Sequence, residues 1–253
     1  MSAQLDPATQ LVAHRGNAFE FPENTLPALQ SALELGVRHI EFDVHLSADL
    51  VPVVIHDASL KRCAGIDRDA RDMNWEELRQ ISVHEPSRLG DRFVGTCIPS
   101  LADVVKLLAR YPQATAFVEL KRTSLRRYGP ELFVQRIHEQ LKPVARQVVI
   151  ISFDLAALKC VKNSTQLPIG WVVSEYSSLT AIKAEATLPE YLFCNQDKLP
   201  VDQSRLWRGP WQWAIYEVTG RAQALNLHAR GAQLLETMQV RKLLDELQPA
   251  AMP

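Results

Sequence analysis

The chain reads as an α/β protein of the (β/α)8 or TIM-barrel class, with a small insertion over the barrel mouth. Three observations lead there. Short apolar runs rich in β-branched residues alternate with helical patterns, and eight such runs occur along the chain. The length of 253 residues suits one such barrel. Neither a glycine-rich dinucleotide fingerprint nor a Walker loop points to an open doubly wound sheet.

The elements follow in order. A first strand is expected at Leu11–His14, then a helix over Thr25–Leu35 with Asn24 as its cap and Gly36 closing it. The second strand is expected at Arg38–Asp43. A parallel crossover needs about a dozen residues or more, and none fits between Asp43 and His56. Pro52–His56 should therefore return antiparallel, with a tight turn between Asp49 and Leu50 that sets Asp43 opposite His56. Residues 57–100 are polar and irregular, with one short helical pattern at Asn74–Ile81, and are expected to cross the mouth without a core of their own. A helix at Leu101–Ala109 behind a Ser100 cap leads to a strand at Thr115–Leu120. Helix Glu131–Leu141, strand Gln147–Ser152, helix Asp154–Val161, strand Pro168–Val173 and helix Thr180–Ala186 come next. Strands at Tyr191–Asn195 and Trp213–Val218, helix Arg221–Ala229, strand Ala232–Glu236 and helix Val240–Leu247 complete a single domain spanning 1–253.

Composition excludes several classes. Net charge is −1 and pI about 6.7, so no polyanion or nucleic-acid surface is indicated. No window approaches the roughly 20 apolar residues of a membrane span. Met1–Gln10 is polar and lacks an apolar signal core, so a cytoplasmic location is expected. Cys63, Cys97, Cys160 and Cys194 lie far apart, which argues against zinc or thioredoxin motifs and for reduced thiols.

The polar residues at strand ends are the informative ones. Glu41/Asp43 and Glu119/Lys121 are each two apart in strands, so each pair shares a face. Charges on inward faces are poor core unless paired or bound to metal. Glu41, Asp43 and Glu119 offer oxygen donors with no cysteine nearby, which favours one hard divalent cation, Mg²⁺ or Ca²⁺. One carboxylate pair alone would read as ion pairing, but three at strand ends with two histidines read as a metal site. His14 and His56 are candidate acid–base groups, and Asp57 could orient the second ring. Arg15 and Lys121 suit phosphate oxygens, and Gly16 should let the backbone approach a ligand closely.

At these residues the sequence resembles the glycerophosphodiester phosphodiesterase family. The resemblance rests on His14-Arg15-Gly16, Pro22-Glu23-Asn24-Thr25, Glu41-x-Asp43, and His56-Asp57 with Leu60 and Arg62. Ile98-Pro99-Ser100-Leu101, Glu119-x-Lys121 and Ser152-Phe153 extend it. It is dense over residues 11–121 and thin beyond about 155. It implies a (β/α)8 barrel and metal-dependent hydrolysis of glycerophosphodiesters to glycerol 3-phosphate and an alcohol. His14 and His56 would be the acid–base pair, and Glu41, Asp43 and Glu119 the ligands of Mg²⁺ or Ca²⁺. Arg15 and Lys121 would contact phosphate, with Glu23 a further polar contact. The partner would be a small-molecule phosphodiester, with no stable membrane insertion.

The C-terminal third departs from the family pattern. Tyr216-Glu217-Val218-Thr219 stands where a Trp-Thr-Val-Asn-like strand end is usual, and Thr237-Met238 where Thr-Asp is usual. These strand ends bear on substrate preference. Glu217 could bind a cationic or polyol head group, or be a satisfied structural carboxylate, which is the favoured expectation. Trp207, Trp211 and Trp213 are expected to pack in the core or at the rim. A lysophospholipase D activity and a non-catalytic phosphate-binding barrel are the alternatives.

Overall fold

Eight parallel strands close into a barrel in the computed structural model, which describes residues 5–201 and 204–248. The strands are β1 (Leu11–Ala13), β2 (His39–Leu46), β3 (Pro52–Val54), β4 (Thr115–Leu120), β5 (Val148–Ser152), β6 (Ile169–Val173), β7 (Tyr191–Asn195), β8 (Gln212–Tyr216) and β9 (Leu234–Thr237). Closure comes from β1, which pairs in parallel with both β2 and β9. β3 is the exception and lies antiparallel on the end of β2.

Alternation within each strand builds two apolar layers. Val12, Phe117, Val149, Ile151, Val172, Phe193, Ala214 and Leu234 fill the barrel interior. Their neighbours along the chain, such as Ile150, Val118 and Leu235, face the helices instead. Burial on both faces explains why these strands read as unbroken apolar runs. Helix Leu101–Ala109 shows the helical counterpart. A reciprocal Ser100/Asp103 capping box starts it, and Leu101, Val104, Leu107 and Leu108 are buried.

Three expectations need correction. The first long helix spans Leu26–Glu34 and its cap is Thr25, whose hydroxyl accepts from Ala28 N–H. Asn24 is not the cap, because its side chain is turned to Asp43. The hairpin register also differs by one residue, with Val44 opposite Val54 and Asp43 bonded to Ile55 through its carbonyl. The cause is a three-residue loop in place of a two-residue one. Ser47 pairs with Val51, and Leu50 takes a left-handed φ of 63°. Gly16 also makes a close approach that was not expected. A Cβ there would sit 2.5 Å from the Ala28 backbone carbon, so the helix packs directly on it. Residues 57–100 do form a core with the hairpin. Leu60, Cys63, Ala70, Met73, Leu78, Val83 and Ile98 pack with Val53 and Ile55 as a separate cluster. Their spacing follows no helix or strand period, so the pattern was silent about it.

Short α-helices lie where none was expected, at Pro7–Gln10, Lys61–Ala64, Pro86–Leu89 and, directly after Lys121, Arg122–Tyr128. Trp211 and Trp213 are buried, and Trp207 stacks on Tyr176 at 3.8 Å. All four cysteines are free thiols. Among the described residues no helix is long and apolar enough to cross a membrane.

Candidate active site

A cavity of about 120 Å³ opens at the C-terminal ends of the strands, the face where TIM-barrel enzymes place their chemistry. His14, Arg15, Glu41, His56, Glu119 and Lys121 line it, together with Ile151, Phe153, Val172, Phe193, Tyr216 and Glu236. Glu41 and Asp43 point inward from β2, and the β2–β4 register sets Asp43 beside Glu119. The hairpin and the segment after β3 carry His56 back to the same cavity.

The loop after β1 is held by the acids it serves. Arg15 takes a left-handed φ of 57°, uncommon for a residue with a side chain. Its backbone N–H donates to Glu41 Oε2 at 3.1 Å, and its carbonyl accepts from Asn24 N–H at 3.1 Å. Its guanidinium lies 3.4 Å from Asp43 Oδ2 and donates to Glu23 Oε1 at 3.0 Å. Glu23 also accepts from Arg62 at 2.6 Å. Arg62 in turn donates to Asp57 at 2.6 Å, and Asp57 lies 2.7 Å from His56 Nδ1. Glu23 thus links the Arg15 side of the site to the His56 side. Lys121 Nζ donates at 3.0 Å to both Asp43 and Glu119.

Burial and charge set the protonation of these groups. Burial would raise the Asp43 carboxyl, but Lys121 and Arg15 beside it hold it well below the ordinary range. For Glu41, burial and the Asp43 charge outweigh the pull of Arg15 and push it well above its usual value. Glu119 is raised by burial and by Asp43. Burial pushes Glu236 up to about 7 against the pull of His14. For His14, burial is outweighed by the Glu236 charge and the Glu217 hydrogen bond, so the ring is raised. His56 is lowered, chiefly by burial.

The donor set fits a hard divalent cation. Ligand atoms of Glu41, Asp43 and Glu119 lie within 4.8 Å of one another, as do those of His14, Glu41 and Glu236. Glu41 Oε1 and Glu236 Oε1 are buried and have no hydrogen-bond partner. With all four carboxylates (Glu41, Asp43, Glu119, Glu236) ionised, the two cations Arg15 and Lys121 would leave two negative charges, the charge of one such ion. Buried charge without compensation is costly, and oxygen donors of this kind suit Mg²⁺ or Ca²⁺.

Two polar residues of the site, Glu236 and His45, escaped the sequence reading. Glu236, 3% exposed, is an inward residue of β9, as is Leu234. Glu217, favoured as a satisfied structural carboxylate, has partners within the chain and bonds His14 Nδ1 at 2.7 Å. His45 is fully buried on the inner row that continues from Asp43. It contacts the His56 carbonyl at 3.0 Å and the Ser124 hydroxyl at 2.7 Å, and so anchors the segment that bears His56. A third polar residue at the same two-residue spacing was the available signal for His45.

The pattern of the Glycerophosphoryl diester phosphodiesterase family matches residues 14–204. A glycerophosphodiester phosphodiesterase of Caldanaerobacter subterraneus is 32% identical over 164 residues, which cover 64% of this chain and 65% of that protein. A lysophospholipase D of Rattus norvegicus is 28% identical over 165 residues, covering 62% of this chain and 50% of that one. The matched stretch is thus under two thirds of either relative's length. Among solved structures, an Oleispira antarctica phosphodiesterase in complex with the product sn-glycerol-3-phosphate superposes with a TM-score of 0.82 at 24% identity, covering 94% of this chain and 96% of that one. A glycerophosphodiester phosphodiesterase of Thermotoga maritima gives 0.71 at 23%, covering 95% and 98%. At those identities the structural likeness speaks for the fold. The sequence match extends well beyond half of the chain, and the chain belongs to the glycerophosphoryl diester phosphodiesterase family.

Proposed function

We propose that the protein hydrolyses glycerophosphodiesters to glycerol 3-phosphate and an alcohol, as one domain over 1–253 in the cytoplasm. The observation that carries the reading is the cavity itself. Two imidazoles, each with Nδ1 against a carboxylate, border the same space as a cluster of buried acids. Four free cysteines accord with a reducing compartment.

Glu41, Asp43 and Glu119 would hold Mg²⁺ or Ca²⁺, which when bound polarises a phosphodiester oxygen and lowers the pKa of the attacking hydroxyl. Arg15 donates to a second phosphoryl oxygen. Lys121 steadies Asp43 and Glu119 and supplies positive charge toward the phosphoryl group. One imidazole accepts the proton of the attacking hydroxyl at Nε2. The other delivers a proton to the leaving alkoxide as its P–O bond breaks. When the nucleophile is the substrate's own glycerol hydroxyl, a cyclic phosphate results, and water opens it with the two rings exchanging roles. Glu23 keeps Arg15 and Arg62 in place between the two histidines.

His14→Ala and His56→Ala should each lower turnover by about 10²–10⁴-fold. Full activity in either variant would overturn the mechanism. A wild-type pH–rate profile should be bell-shaped, because one ring must start neutral and the other protonated.

A lysolipid substrate is the second reading, and one observation favours it. Phe19, 61% exposed, lines a groove of about 260 Å³ with Ala18 and Met238, and Arg62 and Glu23 join this groove to the site. Turnover of a water-soluble glycerophosphodiester compared with that of a lysolipid separates the two.

A further inference from the structure

One carboxylate beside the cavity, Glu217, bonds His14, and the family pattern does not supply its role. We propose that Glu217 is the positioning residue of His14, fixing its tautomer so that Nε2 is the atom that exchanges the proton. This deepens the proposed function and rests on His14 being an acid–base group.

The geometry is closed on every side. Glu217 Oε2 lies 2.7 Å from His14 Nδ1. Its Oε1 accepts the Met238 backbone N–H, and its carbonyl accepts Gln196 Nε2 at 2.8 Å. An ionised carboxylate only accepts, so in the neutral ring His14 Nδ1 carries the hydrogen and Nε2 holds the lone pair. Nε2 is 3.9 Å from Glu41 Oε2, on the cavity side. His56 is held the same way. Asp57 Oδ1 is 2.7 Å from its Nδ1, while Asp57 Oδ2 accepts Arg62 Nε at 2.6 Å. Each ring therefore has a carboxylate whose second oxygen is committed to a fixed donor. For His56 the carboxylate is the next residue in sequence, and for His14 it comes from the end of β8.

The commitment of Oε1 to Met238 makes Glu217→Gln informative. The introduced amide must keep its oxygen on the Met238 N–H, which has no other use for an NH₂ group. Its NH₂ then faces His14 Nδ1 and drives the hydrogen to Nε2, the unproductive tautomer. An acid-to-amide change of this kind costs about 10⁴-fold in the Ser-His-Asp triad, so E217Q should lose about 10²–10⁴-fold in kcat with KM within about threefold. Glu217→Ala leaves the ring free to take either tautomer and should retain more turnover than E217Q. NMR of the His14 ring nitrogens should show hydrogen on Nδ1 in the wild type and on Nε2 in E217Q.

Three results overturn the proposal. They are wild-type kcat in E217Q, hydrogen still on Nδ1 in E217Q, and a Glu217→Ala variant less active than E217Q. If His14→Ala is inactive while E217Q is fully active, the role of Glu217 falls and that of His14 stands. If His14→Ala is itself fully active, both fall.

Discussion

Around the barrel mouth, β1, β2 and β4 deliver His14, Arg15, Glu41, Glu119 and Lys121 to the cavity, with Asp43 beside Glu119, whereas β5, β6 and β7 deliver Ile151, Val172 and Phe193. One arc is charged and hydrogen-bonded, and the other is an apolar wall. The difference has a physical use. An apolar wall lowers the local dielectric and strengthens every interaction on the charged arc. On the other flank of β1, β9 and β8 bring Glu236 and Glu217 up beside His14. Charge is thus concentrated in one continuous sector, from β8 through β9, β1 and β2 to β4.

Breaking the charged arc should have the largest effect. Asp43→Asn removes a carboxylate held by Lys121, Arg15 and Asn24 and should lower turnover by several kcal/mol, or about 10³-fold. Calorimetric titration with Mg²⁺ or Ca²⁺ should show weakened binding in the same variant. The opposite sector should respond in stability instead. Leu158 is fully buried in the helix that follows β5, so Leu158→Ala should cost about 3–4 kcal/mol in denaturant unfolding. Its kcat per folded molecule should stay within about twofold.

His45 sharpens the contrast, because it belongs to the charged arc yet acts through structure. Burial pushes its ring down to about 4. The folded value lies below the ordinary one of 6.5, so the unfolded chain binds the extra proton between those limits. The His45 contribution to stability should therefore be complete above about pH 6.5 and be lost, by on the order of 3 kcal/mol, as pH drops toward 4. The difference in thermal unfolding between wild type and His45→Gln across that range measures it. The smallest effect is expected outside the mouth. Ser100→Ala removes one helix cap and should cost about 1 kcal/mol with activity intact.

The charged arc was legible in the sequence because its signals are local. Glu41/Asp43 and Glu119/Lys121 declare a shared face by spacing, and His14-Arg15 and His56-Asp57 sit at strand ends. The eight barrel strands were legible for the same reason, within about two residues at most ends, since apolar runs and turn residues bound them. Pairings made by the closed barrel were not legible. Glu217 meets His14 across 203 residues of chain, and nothing in either neighbourhood announces the contact. Glu236 ends an expected strand, and its place in the site depends on β9 pairing with β1. The hairpin register depended on whether the turn held two residues or three, a choice that Asp49-Leu50 does not settle by composition.

The central claim is that an acid-held cation and two imidazoles act together on one phosphodiester. The most direct measurement follows a water-soluble glycerophosphodiester by phosphorus NMR with Mg²⁺ or Ca²⁺, then with excess EDTA, then with the cation restored. Release of glycerol 3-phosphate that stops with chelation and resumes on restoration is the expected result. Undiminished hydrolysis in EDTA, or no hydrolysis of any such diester by folded protein with either cation, would contradict it.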